Sequence, residues 1–180
     1  MHGIILSELK RYVLARHGED LWRSLLQDSG RPNATYLANA IYPDEEVESL
    51  VAAASRRTGA PVPGLLEDFG AYLAPHLLEI YGPILEPGWR TLDIIEKTEA
   101  HVHRVVRIKN PGATPPELQC FRLSEQEVVL TYASRRKMCA VAKGIGKGLG
   151  IHFGETIEIE ERACMHQGAP ACIISFRKVC

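Results

Sequence analysis

Val128-Val-Leu-Thr-Tyr-Ala-Ser-Arg-Arg136 is an apolar run that ends in two hydroxyls and a guanidinium. Extended backbone from Val128 to Ser134 turns alternate side chains to one side, which brings Tyr132, Ser134 and Arg136 together. A forked guanidinium flanked by O–H donors suits a carboxylate or a phosphate. Taken alone, Y-x-S-x-R is more often a strand end with solvated polar residues, so its meaning depends on the surrounding chain.

Immediately around it the pattern has a period of two. Leu118 to Leu123 and Val128 to Tyr132 read as a hairpin about Ser124-Glu125-Gln126. Thr156 to Ala163 and Ala171 to Arg177 read as a second pair, in which Ile157 and Ile159 alternate with Glu158 and Glu160. Between the pairs, Lys137 to Phe153 reads as a helix whose Gly144, Gly146, Gly148 and Gly150 permit close backbone approach at a cost in propensity.

Upstream the period becomes helical. Ile5, Leu9 and Val13 recur every fourth residue, and Leu21, Trp22, Leu25 and Leu26 continue an apolar face beyond Gly18. Pro43 followed by three acids opens a further helix that Gly59 closes. Leu65 to Tyr81 carries Phe69, Leu73 and Leu77 on one stripe, and Trp89 to Ile108 is another long candidate, stopped by Asn110-Pro111-Gly112. The expected class is α+β, with a helical N-terminal part packed on a C-terminal part of antiparallel sheet and helices.

The chain of 180 residues is expected to form one domain. A formal charge of -1 gives no footprint for nucleic acid or an acidic membrane surface, and no apolar run approaches the roughly 20 residues of a bilayer span. The N-terminus lacks the long apolar stretch of a signal peptide, which implies a cytoplasmic protein. Five cysteines without a secretion signal read as reduced thiols or metal ligands before a disulfide framework.

His101 and His103 lie two residues apart on one helix, about 200° around its axis, so at most one faces a given pocket. The stripe Leu92, Ile95, Val102, Val106 leaves both on its flanks. Periodicity does not choose between them.

In order and spacing, His103, Pro111-Gly-Ala-Thr-Pro-Pro116 and Tyr132-Ala-Ser-Arg-Arg136 resemble the heme nitric oxide/oxygen binding (H-NOX) domain, the sensor domain of soluble guanylate cyclase. Met1-His-Gly-Ile-Ile5, Gly18-Glu-Asp-Leu-Trp22 and Asp68-Phe-Gly70 fit the same layout, so the likeness covers the whole chain. It implies a single heme-binding domain over 1–180, with a distal helical subdomain to about residue 60, a proximal subdomain with the sheet from about residue 61, and heme b between them. His103 matches the axial ligand of the heme iron, and Tyr132, Ser134 and Arg136 match the residues that bind the propionates. Pro116 matches the proline that presses the porphyrin out of plane. Ile5, Leu9, Leu73 and Val141 match positions beside the heme. Oxygen-binding members carry a tyrosine where Val141 stands and polar groups where Leu9 and Leu73 stand.

The resemblance therefore implies a nitric oxide sensor, with carbon monoxide a weaker ligand, no stable oxygen complex, and Tyr72 the nearby hydroxyl that could alter this. Signalling would follow from a weakened Fe–His103 bond, passed to a separate histidine kinase or cyclic-di-GMP enzyme, with no catalytic activity in this chain. A heme-free small-molecule or thiol/zinc redox module of the same fold is the alternative. Cys139, Cys164 and Cys172 are similar to the zinc ligands of some bacterial members. The histidine expected with them is replaced by Glu161, so Glu161 or His166 would complete the set, and a reversible disulfide or plain buried thiols are the other readings. Cys120 and Cys180 have no evident partner.

Overall fold

The computed structural model describes residues 1–179, so Cys180 lies outside it. Helix α1 (Gly3–His17) and helix α2 (Glu19–Asp28) meet at Gly18, whose φ of 83° favours glycine. Helix α3 (Asp44–Thr58) starts after Pro43 with three acids in its first turn and stops at the left-handed Gly59. Helix α4 (Val62–Tyr81) begins three residues before the expected Leu65, because Pro63 falls in the first turn, where its missing N–H leaves nothing unpaired.

The long candidate from Trp89 to Ile108 is helical in three parts. These are α5 (Thr91–Thr98), a π-helical turn (Glu99–His103) and α6 (Arg104–Lys109). Such a turn widens the helix by one residue and re-aims the side chains that follow.

Strands β1 (Glu117–Ser124), β2 (Glu127–Ala133), β3 (Thr156–Ala163) and β4 (Cys172–Val179) form one sheet in the order β1-β2-β4-β3, with every neighbour antiparallel. Both expected hairpins are present, and the pairing of β2 with β4 joins them through Val128 opposite Phe176. Helix α7 (Cys139–Phe153) follows β2. Because β2 ends at Ala133, Ser134 and Arg136 lie in the turn beyond it and not on the strand face expected for them.

Two apolar cores result. Leu6, Trp22, Leu25, Leu50 and Phe69 belong to the helical one, and Ile94, Val128, Leu130, Ile174 and Phe176 to the one beneath the sheet. Helices α4 and α7 enter both, through Leu73 and Val141 on one side and Ala74 and Leu149 on the other. Their backbones touch: a Cβ on Gly144 would lie 2.0 Å from the Glu67 carbonyl oxygen, and one on Gly70 would lie 2.4 Å from that of Val141. Gly144→Ala must therefore push two helices apart. It is expected to cost about 3 kcal/mol, lowering the thermal midpoint by roughly 6–12 °C in a calorimetric scan. An unchanged midpoint would contradict the contact. Among the described residues, no helix is long and apolar enough to cross a membrane.

Candidate functional site

A cavity of about 250 Å³ lies where α1, α4, α7, the π-turn, β2 and the loop before β1 meet. Its lining is mostly aliphatic and includes Ile5, Leu73 and Val141, three of the four positions expected beside the cofactor. Leu9 is placed differently. One turn along α1 from Ile5, it faces Leu25, Leu50 and Phe69 and borders a separate cavity of about 40 Å³. Tyr72 also turns away from the main cavity, with its ring 5.2 Å from Tyr12 and 4.7 Å from His76.

The two helical histidines separate as their angular offset requires. His101 packs edge-on against Trp89 at 4.8 Å, whereas His103 lines the cavity with its side chain 14% exposed. Its Nδ1 is 2.9 Å from Glu99 Oε2, a contact between residues four apart across the π-turn. Burial lowers the pKa of His103 against the opposing pull of Glu99 and the Pro116 carbonyl, so the ring is held neutral. Burial also works against ionisation of Glu99, yet hydrogen bonds from Arg107 and His103 keep its carboxyl below the usual range. A neutral imidazole bound through one nitrogen to a carboxylate leaves the other available to a metal.

Pro115 and Pro116 border the cavity, and their fixed φ stiffens the loop that enters β1. At the end of β2, Tyr132 and Arg136 reach the cavity, whereas Ser134 stays outside its lining. The Ser134 hydroxyl instead accepts the Arg136 backbone N–H at 3.3 Å and so shapes the turn that presents the guanidinium. Burial pushes the Tyr132 phenol up to about 12, which keeps it a neutral donor. Arg136 donates to Asp44 at 3.1 and 3.2 Å, to Thr114 Oγ1 at 3.2 Å and to the Thr114 carbonyl. Asp44 also binds the amino terminus at 2.7 Å. The guanidinium thus holds a carboxylate at the cavity's edge, and this donor set, with apolar walls and one neutral imidazole, fits a flat apolar cofactor bearing acids.

Asp44, Thr114, Glu99, Tyr81 and His2 were not evident from the sequence. Tyr81 and His2 line the cavity, and His2 Nε2 is buried without a partner. Asp44 carried a signal only as an acid at a helix start, and its pairing with Arg136 spans 92 residues.

A second cluster lies behind β2. One ligand atom each from Cys139, Glu161, Cys164 and Cys172 falls within 4.8 Å of all the others. The Cys139–Cys164 and Cys164–Cys172 sulfur pairs are each 3.9 Å apart, close to the roughly 3.8 Å edge of a tetrahedral zinc–thiolate site. Burial, followed by the neighbouring thiols, pushes the Cys139 pKa up, and burial does the same for Cys172. Glu161 Oε2 takes Lys143 at 3.2 Å, and its Oε1 is buried with no hydrogen-bond partner. His166 is engaged elsewhere, with Nε2 2.8 Å from the Lys137 carbonyl oxygen. Cys120 stands apart on β1, its Sγ 3.4 Å from the Ile95 carbonyl oxygen, and burial raises its pKa to about 11.

Comparison with known proteins agrees with this arrangement. Soluble guanylate cyclase gcy-31 of Caenorhabditis elegans is 24% identical over 138 residues, 76% of this chain and 20% of that protein. The chain therefore spans about a fifth of that relative's length. An H-NOX protein from S. oneidensis in the Fe(II)NO ligation state superposes over 100% of both chains with a TM-score of 0.93 at 24% identity. The I5F mutant of T. tengcongensis H-NOX covers 99% of this chain and is covered over 97% of its own, with a TM-score of 0.86 at 22% identity. The profile of the haem-NO-binding family matches residues 2–161. By that match, this chain belongs to the haem-NO-binding family, the H-NOX domains.

Proposed function

We propose that this chain is a heme-based sensor of nitric oxide that passes its signal to a separate protein. The family supplies the coarser statement, since H-NOX domains are heme-binding gas sensors. The observation that carries the finer one is the placement of His103, a neutral imidazole with one nitrogen committed to Glu99, on an aliphatic cavity edged by Arg136. His103 would be the axial ligand, Tyr132 and Arg136 would hold the propionates, and Pro116 would lie against the porphyrin. When bound, the iron supplies a coordination position for a diatomic gas, and nitric oxide there weakens the bond opposite itself.

His103 is then the contact that differs between two states, as a coupling between sites requires. Once released, the ring remains tied to Glu99, and the strain held in the π-turn can pass into α5 and α6. Relative movement of the helical part, to about residue 60, against the rest would carry the signal to a histidine kinase or cyclic-di-GMP enzyme.

Val141, Leu73 and Ile5 offer no hydrogen-bond donor from their side chains, and Tyr72 faces away, which favours nitric oxide over dioxygen. Mixing the reduced, heme-loaded protein with aerated buffer is expected to give slow oxidation only. Stoichiometric nitric oxide should shift the absorption spectrum completely, and carbon monoxide should do so more weakly. A new spectrum that persists in air would assign the pocket to oxygen and point to Tyr81 or His2 as the donor.

The second cluster supports one structural zinc held by Cys139, Cys164, Cys172 and Glu161. The orphaned Glu161 Oε1 supports Glu161 over His166 as the fourth ligand.

A further inference from the structure

We propose that Glu99 is a positioning residue for His103 that sets how firmly this histidine holds the iron and hence how readily nitric oxide releases it. The proposal rests on the heme reading of the cavity. Glu99 opens the π-turn and His103 closes it, so the widening of the helix falls between the two. Oε2 of Glu99 receives His103 Nδ1 at 2.9 Å and the Leu118 backbone N–H at 3.3 Å, while Oε1 receives Arg107. The carboxylate is thereby fixed from α6 and from β1, and the imidazole is the one partner of the three that also lines the cavity.

This arrangement dictates the tautomer. A carboxylate accepts at Nδ1, so the proton sits there and Nε2 carries the lone pair. Partial transfer of negative charge onto the ring makes it a stronger donor to a metal, and an anionic partner strengthens the bond more than a neutral one. Glu99 would also fix the plane of the ring about its Cβ–Cγ bond, since both its oxygens are held. Arg107 moderates the effect by drawing charge toward Oε1.

The two neighbours of Glu99 therefore give tests of opposite sign in the heme-loaded protein. Glu99→Gln keeps an oxygen for the Leu118 amide and the imidazole but removes the charge. Its ferrous form is expected to show a lower iron–histidine stretching frequency by resonance Raman and a higher reduction potential. With nitric oxide, a larger fraction should lose the histidine bond. Heme retention should weaken by roughly 10–100-fold, the usual range for removing the partner of a metal-ligating histidine. Arg107→Met leaves the charge and removes its competitor, so both spectroscopic quantities should move the other way. This variant also decides the question if Glu99→Gln folds poorly. Stretching frequency and potential unchanged from the wild type in both variants, with heme still bound, would overturn the proposal. Wild-type protein that binds heme without any iron–histidine band would overturn the heme reading of His103 and this proposal together.

Discussion

Protein carrying His103→Gly is expected to purify with little heme, and added imidazole is expected to restore the absorption of ligated heme. The side chain is the imidazole whose Nδ1 is committed to Glu99 and whose ring borders the cavity. His101 cannot replace it, because it packs on Trp89 on another face of the same helical segment. The loss should exceed the roughly 10–100-fold that follows removal of a mere partner of a ligand. Glycine costs the helix only about 1 kcal/mol, so circular dichroism should confirm that the variant folds. The hole left by the ring is lined and shaped for imidazole, which is why the free base should enter it. A variant with wild-type heme content and an unchanged ferrous spectrum would remove His103 from the site.

A comparable effect is expected at the thiol cluster. Freshly purified, reduced protein should contain close to one zinc per chain, and Cys172→Ser should contain almost none. Cys172 is fully buried at the start of β4 and lies 3.9 Å from Cys164, so its loss breaks the set from inside the sheet. Stability should fall by several kcal/mol, since a structural zinc contributes on the order of 10 kcal/mol in small domains and here a packed core remains. A chelator should lower the thermal midpoint of the wild type toward that of the variant and leave the variant unaffected. Glu161→Gln should weaken zinc binding while His166→Ala leaves its stoichiometry intact. Metal-free wild-type protein, or a disulfide detected by thiol titration, would exclude the zinc reading.

Patterns local in sequence foretold most of the fold. The two-residue period marked both hairpins, and the stripe of Phe69, Leu73 and Leu77 marked α4. The π-turn was not legible, because nothing in Glu99-Ala-His-Val-His103 prefers a wider turn; packing of His103 and Glu99 against β1 decides it. Likewise Ser134 was expected on a strand face, but the chain turns one residue earlier and its hydroxyl serves the turn. At the site, Tyr132, Arg136, Pro116 and His103 follow from motif and resemblance. Asp44, Thr114 and Glu99 do not, because an ion pair across 92 residues leaves no trace in spacing. Leu9 shows the limit of reading one face: a single helical turn separates the wall of one cavity from that of another.

The glycine contact between α4 and α7 bears on how such domains can be recombined. With the Gly144 position 2.0 Å from a carbonyl of its neighbour, the two helices have no side-chain layer in which mismatched sequences could be absorbed. Front-half segments grafted from another family member would have to bring both helices, although 57 residues of loop and sheet separate Tyr81 from Cys139 in the chain. For protein engineering, the natural unit of exchange is therefore discontinuous, and a crossover placed at any single point between them divides it.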